Sequence, residues 1–248
     1  MILDTLTQAF EERLQEIDAY LDLLDALERQ VRDGPPKIGG SPVTAQQQKI
    51  LYSSVYLQLY NLVEATVTWC IDAVTAAAAD GGRWLPSDLS NELRREWVRV
   101  QARTHVVLNF ENRLESAVAF FDHLVKTLPV SAWSVEKGGG GNWDDIEIED
   151  MSTRLGCNLQ VSQAALRGIK RIIRDDKNAL GLVKYLRNRL AHGNLSFSEC
   201  GDGVTVGDLR DIKDRTAAYL REVVAAFRSY IERYEFLIPS RRPEASAP

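Results

Sequence analysis

From Ile2 to about Arg32 the apolar residues Leu3, Leu6, Phe10, Leu14, Ile17, Leu21, Leu24 and Leu27 recur at intervals of three and four. That is the period of a helix with one buried stripe. Gly34, Pro35 and Pro36 end it, because proline lacks the donor a helix needs. A second long helix is predicted from about Thr44 to Ala79, with Leu51, Val55, Leu59, Leu62, Val67, Ile71 and Val74 on one side and Gly81-Gly82 as its stop. The two are expected to pair antiparallel across the loop at 33 to 43.

Further helical patterns cover roughly 89 to 107 and 110 to 127, the latter carrying Leu114, Val118, Phe121 and Val125, with Pro129 closing the block. Gly138 to Gly141 have no side chains to pack and high backbone entropy, so a mobile loop is expected there. A short acidic helix follows at 145 to 155 before Gly156, then a basic one at 160 to 173. Asp175-Asp176 read as capping residues of a helix that runs to about Ala191 and stops at Gly193. Residues 194 to 204 read as a loop with an extended piece at Leu195 to Phe197. Thr205 with Asp208 resembles a capping box ahead of a final helix over about 206 to 237.

No internal repeat and no alternating run long enough for a sheet is found, so the predicted class is all-α, a helical bundle. Residues 1–238 are read as one domain, its motif-bearing part at about 160–237, and PSRRPEASAP at 239–248 as a disordered tail. A chain of 248 residues with 45% hydrophobic and 26% charged residues can bury a sizeable core and is not intrinsically disordered.

The net charge of -5 excludes a uniformly basic surface of the kind that wraps nucleic acid, but the charge is unevenly spread. Residues 1 to 31 carry eight acids against Arg13 and Arg29, whereas 161 to 195 carry eight Lys or Arg against Asp175 and Asp176. The second block can hold a few phosphates. Cys70, Cys157 and Cys200 are odd in number and widely spaced, reading as reduced thiols. His105, His123 and His192 are too dispersed to build a metal site, and neither metal nor cofactor is expected. Asp4 and the missing basic lead do not suit a secretion signal, and Glu64 and Asp72 interrupt the most apolar stretch, Ile50 to Ala79. A cytoplasmic protein without a membrane segment is expected.

The chemistry concentrates at 180 to 197, LGLVKYLRNRLAHGNLSF. On a helix, Ala179, Leu182, Val183, Leu186 and Leu190 form one core-facing stripe. Asn188 and His192 then share the opposite face, with Arg187 on the flank. Metal-free RNA cleavage needs a group that exchanges a proton with the 2′-hydroxyl or the 5′-oxygen near neutral pH, and an imidazole does this. It also needs a fixed cation for the phosphoryl oxygens, which a guanidinium supplies, and Asn188 can orient either by hydrogen bonding. Each residue also has a plainer use: His192 as a helix cap, Arg187 in a surface ion pair, Asn188 facing solvent. Glu64 reads equally as a buried partner for Arg187 or as an exposed residue. A second Arg-to-His spacing, Arg99 to His105, lacks the polar neighbour and the glycine stop and reads as structural. The five tryptophans read as packing anchors.

The full string Arg187-Asn188-Arg189-Leu190-Ala191-His192-Gly193 resembles the signature of the HEPN superfamily, an arginine, a polar residue, and a histidine a few positions on. With YNLVEA at 60 to 65 and the GGGGNWDD loop, the chain is similar to the MAE-type HEPN-like nucleases of bacteria over roughly residues 44 to 237. The resemblance implies a HEPN-like up-and-down helical core that dimerises. It brings two copies of Arg187, Asn188 and His192 into one composite ribonuclease site, supported by Gly193, Glu64 and Asn61. Lys170, Arg171, Arg174, Lys184 and Arg189 would contact RNA. It also implies a toxin-antitoxin or antiviral role, with an antitoxin or second HEPN protein as partner. The alternative is a non-catalytic module that binds RNA, nucleotide or a partner protein.

Overall fold

A computed structural model describes residues 2–31, 34–137 and 142–243; the four consecutive glycines and residues 244–248 lie outside the described residues. The class is all-α. Helix α1 (Ile2–Gln30) leads through a two-residue hairpin, β1 (Lys37–Ile38) and β2 (Ser41–Pro42), to α2 (Ala45–Ala78). Then come α3 (Asn91–Gln101), α4 (Phe110–Val125), α5 (Asp145–Leu155), α6 (Gln163–Lys170), α7 (Ala179–Ala191), α8 (Phe197–Cys200) and α9 (Val206–Glu232).

Helix α2 is the axis of the bundle, packed by α1, α7, α8 and α9. Its apolar residues are buried around its circumference, from Tyr52 and Val55 through Val63 to Val74 and Ala78. This is why it is long and apolar enough to match a membrane span in composition. A capping box starts it: Thr44 Oγ1 accepts from Gln47 N–H while the Gln47 side chain accepts from Thr44 N–H at 2.8 Å. Helix α1 runs antiparallel to it, with Tyr20 Oη donating to the Leu51 carbonyl at one end and Leu6 beside Ala73 at the other. Helix α8 comes against α2 at Gly201, where an added Cβ would lie 2.0 Å from the Lys49 carbonyl oxygen, so only glycine fits.

The acidic stripe of α1 faces α9. Glu11 pairs with Arg221 at 2.8 Å, Asp18 with Lys213 at 2.7 Å, and Asp22 and Asp25 with Arg210. Three cations of α9 thus offset half of the charge imbalance at the N-terminus.

Several boundaries depart from the periodicity. Asp175 and Asp176 do not cap α7; they are the central residues of a tight turn with φ of 52° and 55°, closed by Lys177 N–H to the Arg174 carbonyl at 2.9 Å. Asn178 is the cap, its Oδ1 accepting from Gly181 N–H at 2.8 Å. Residues 195 to 197 form no strand: Ser196 is extended but serves as the N-cap of α8, in a capping box with Glu199, and Phe197 is already helical. The predicted loop at 194–204 therefore contains a helical turn, and the hairpin at 37–42 is a small exception to the expected absence of strands. The final helix ends at Glu232, and order continues past 238: Pro239–Arg241 form a 3-10 turn, with Arg241 bound to Asp88 at 2.7 Å.

Helix α4 stands apart. Phe120 and His123 pack on Trp97 of α3 at ring-centroid separations of 5.8 and 5.1 Å. The apolar face of α4, predicted from its period, points away from the body instead of into it.

Candidate functional site

Helix α7 places the site. Ala179, Leu182, Val183, Leu186 and Leu190 are buried as a stripe, and the Asn178 cap fixes where the helix starts. Asn178 is itself held by Asp145, its Nδ2 donating to Oδ1 at 2.9 Å, which ties α7 to the start of α5.

The other end of α7 closes in a paired-bond cap. Gly193, at φ 69°, donates to the Leu190 carbonyl at 3.2 Å, and Asn194 donates to the Arg189 carbonyl at 2.8 Å. A left-handed residue is required here, and glycine adopts that conformation without a Cβ penalty. The stop leaves His192 exposed at the last position, and its ring makes no hydrogen bond among the described residues.

Arg187 is held on several sides. Its guanidinium lies 4.2 Å from the centre of the Tyr60 ring, Nη2 is 3.6 Å from Glu64 Oε2, and Nη1 donates to Asn188 Oδ1 at 2.8 Å. Asn188 Nδ2 donates in turn to Asn142 Oδ1 at 3.0 Å. Both ends of the Asn188 amide are thereby oriented. Tyr60 is buried, and burial raises its phenol above the ordinary range against the opposing charge of Arg187; its oxygen accepts from the backbone N–H of Trp143. Glu64 is thus a partner of Arg187 and also partly exposed.

Asn188 and His192 line one cleft of about 400 Å³ with Lys177, Lys184, Tyr185 and Arg189. Lys184, Asn188 and His192, and beside them Tyr185 and Arg189, recur at four and form a strip along α7, which Lys177 joins from the turn ahead of the helix. Lys177 Nζ sits 4.5 Å from the centre of the Tyr185 ring, and Arg189 donates to Tyr185 Oη at 3.1 Å and to the Asn194 carbonyl at 2.9 Å. Lys184 is paired with Asp144, the N-cap of α5.

The basic block divides. Lys184 and Arg189 line the cleft, but Lys170 does not: it pairs with the buried Asp145 at 2.6 Å, and that hydrogen bond raises its ammonium above the usual range. Arg171 and Arg174 do not line the cleft either, and Arg174 lies 3.6 Å from Asp175. Asn61 also faces elsewhere, accepting from Arg13 of α1. The second arginine-histidine pair is a local cap, with His105 Nδ1 donating to the Arg99 carbonyl at 3.0 Å. Trp84, Trp97 and Trp143 are buried anchors. Among the described residues no three His, Cys, Asp or Glu side chains converge as a metal site would require.

Tyr60, Asn142, Asp144, Lys177 and Tyr185 are the residues that sequence reasoning did not assign. Tyr185 and Arg189, four apart on a helix, carried a local signal. For Tyr60 and Asn142 only the quoted strings YNLVEA and GGGGNWDD pointed to their neighbourhood.

Helix α7 thus carries a buried stripe and a glycine stop, with Asn188 and His192 on the cleft and Arg187, which does not line it, turned to Tyr60 and Glu64 of α2. No curated protein and no solved structure matches the chain, whereas the family model described as MAE-type HEPN-like matches residues 2–236. The chain belongs to this HEPN family.

Proposed function

We propose that the protein is a metal-independent endoribonuclease, with the catalytic face of α7 completed by a second copy. The observation that carries this reading is the pairing of a fixed guanidinium with an exposed imidazole. Arg187 is held by Tyr60, Glu64 and Asn188, while His192 at the end of the same helix has its ring free of hydrogen bonds among the described residues. Family membership supports it, since HEPN domains are commonly ribonucleases that bind RNA and dimerise.

In the proposed reaction the 2′-hydroxyl oxygen attacks the scissile phosphorus and its proton passes to one His192 imidazole. The bond from phosphorus to the 5′-oxygen breaks as the imidazolium of the other copy protonates that oxygen, leaving a 2′,3′-cyclic phosphate and a 5′-hydroxyl. Arg187 stabilises the charge on the phosphoryl oxygens, and Asn188 keeps its guanidinium in place. His192 is the only imidazole lining the α7 cleft among the described residues, which favours a site shared by two chains, each giving one proton carrier. We further propose a cytoplasmic setting in bacterial toxin-antitoxin or antiviral defence, where an antitoxin or second HEPN protein would control the open α7 face.

The test is cleavage of single-stranded RNA by purified protein in EDTA, with product ends analysed. Cyclic phosphate ends and a loss of about a hundredfold or more in His192→Ala are expected. Absence of cleavage in EDTA, or full activity of His192→Ala, defeats the proposal. The binding-module reading draws on the same anchored Arg187, which suits phosphate capture without turnover; RNA retention without cleavage, lost in Arg187→Ala, would select it.

A further inference from the structure

Helix α4 exposes more large apolar surface than any other element among the described residues. Phe110 is 76% exposed, Phe121 and Val125 64% each, and Leu114, Val118 and Leu124 about half. Val107, just before it, is 99% exposed. Scattered exposed apolar residues are ordinary, but a contiguous patch of this size marks a surface that is covered in use. With aromatic side chains of about 150–250 Å² among them, the patch offers on the order of 800 Å², what each partner contributes to a standard stable interface.

The spacing says what shape covers it. Phe110, Leu114, Ala117, Phe121 and Leu124 alternate at four and three, the seam spacing of paired helices. The sizes say which helix. In an antiparallel pair of two α4 helices, with Leu114 opposite Leu124 of the other copy, Ala117 falls opposite Phe121 and Phe121 opposite Ala117. The one small seam residue thus receives the bulkiest, twice over, as a two-fold interface demands. A register one turn shorter would set Ala117 against itself and leave a gap. Charge argues against a lipid surface: the polar side of α4 has Glu111, Glu115 and Asp122 against Arg113 and Lys126, which anionic membranes repel.

We infer that the covering partner is a second copy of this chain, its α4 antiparallel to the first with Ala117 against Phe121. The inference shares with the proposed function the association of two chains, but not the chemistry, and its readout is assembly rather than RNA cleavage. Sedimentation of the full chain at about 50 µM is expected to show a dimer with micromolar or tighter Kd. Phe121→Glu, on an exposed position, is expected to give a folded monomer. Ala117→Phe alone should weaken dimerisation about tenfold or more, and the swap Ala117→Phe with Phe121→Ala should restore it to within about threefold.

Recovery in the swap is specific to this register, since general loss of apolar surface cannot produce it. A dimer that persists in Phe121→Glu, or a swap that fails to recover, overturns the α4 pairing while leaving the two-chain ribonuclease reading in place. A monomeric parent overturns both. Flotation of the parent with phosphatidylglycerol vesicles, abolished in Phe121→Glu, would assign the face to lipid and overturn the pairing as well.

Discussion

Replacing Tyr60 by leucine removes the platform beneath Arg187 without touching any group proposed to move a proton. The guanidinium is 4.2 Å from the ring centre and partly desolvated, a contact of about 1 kcal/mol. Its ion pair with Glu64 is longer, 3.6 Å, and the carboxylate side chain is 42% exposed, so solvent screening leaves it about 0.3 kcal/mol. In Tyr60→Leu the guanidinium spends less time in its working position, and kcat/KM on an RNA oligonucleotide should fall about fivefold to tenfold. Glu64→Gln should cost less than about twofold. Tyr60→Phe keeps the ring but leaves the backbone N–H of the buried Trp143 without its phenol acceptor, so it should lower Tm by about 2–4 °C at nearly unchanged kcat/KM. The assay is initial-rate cleavage of a fluorescent RNA alongside a thermal melt of each variant. If Glu64→Gln is the more damaging, or if Tyr60→Phe loses as much activity as Tyr60→Leu, the ring does not position Arg187.

The correction at the start of α7 has its own check: Asn178→Ala should lose the cap and the Asp145 bond and lower Tm by about 3–6 °C, while Asp175→Asn should change it by less than about 1 °C. Equal effects would return the cap to Asp175. Lys177→Ala should weaken RNA binding by the His192→Ala protein and reduce the salt slope of log Kd by about 0.7, one phosphate contact on a single strand; an unchanged slope would remove Lys177 from the RNA path. Burial pushes the thiols up, Cys200 to about 11, Cys157 to about 12 and Cys70 higher still. Because these folded values lie above the unfolded one, their contribution to stability is complete below about pH 8.5 and is lost as the pH rises through the folded values. Titration with a thiol reagent at pH 8 should accordingly find no fast-reacting cysteine until the protein is denatured, and prompt reaction of one thiol in the native state would contradict their burial.

The long helices were legible because a buried stripe writes its period into the sequence, as in Leu6 to Leu27 and in α2. Helix ends were legible where a local unit closes them, as at Gly156 and Thr205. The same chemistry misled at Asp175-Asp176, since aspartate suits both a helix cap and a left-handed turn, and here the two form a turn closed by Lys177 while Asn178 caps the helix. Periodicity located the apolar face of α4 but is silent on whether the protein's own body covers it. Within the site, Arg187, Asn188 and His192 lie on one helix and could be found by counting. Tyr60 is 127 positions from Arg187, and Asn142 is 46 from Asn188, so only the fold brings them together. The basic block misled for a related reason, because composition cannot tell a cation spent on Asp145 from one that lines a cleft.

The bonds between α1 and α9 also bear on when the molecule becomes complete. Arg210 meets Asp25 across 185 positions and Arg221 meets Glu11 across 210. A chain leaving the ribosome therefore carries its first helix with half of its partners still unmade, and those ties close only after α9 emerges. A product cut short before about residue 210 lacks the three cations that hold α1, Arg210, Lys213 and Arg221, even though it already contains Arg187, Asn188 and His192. The residues proposed to cleave RNA are thereby synthesised before the ties that complete the fold around them can form.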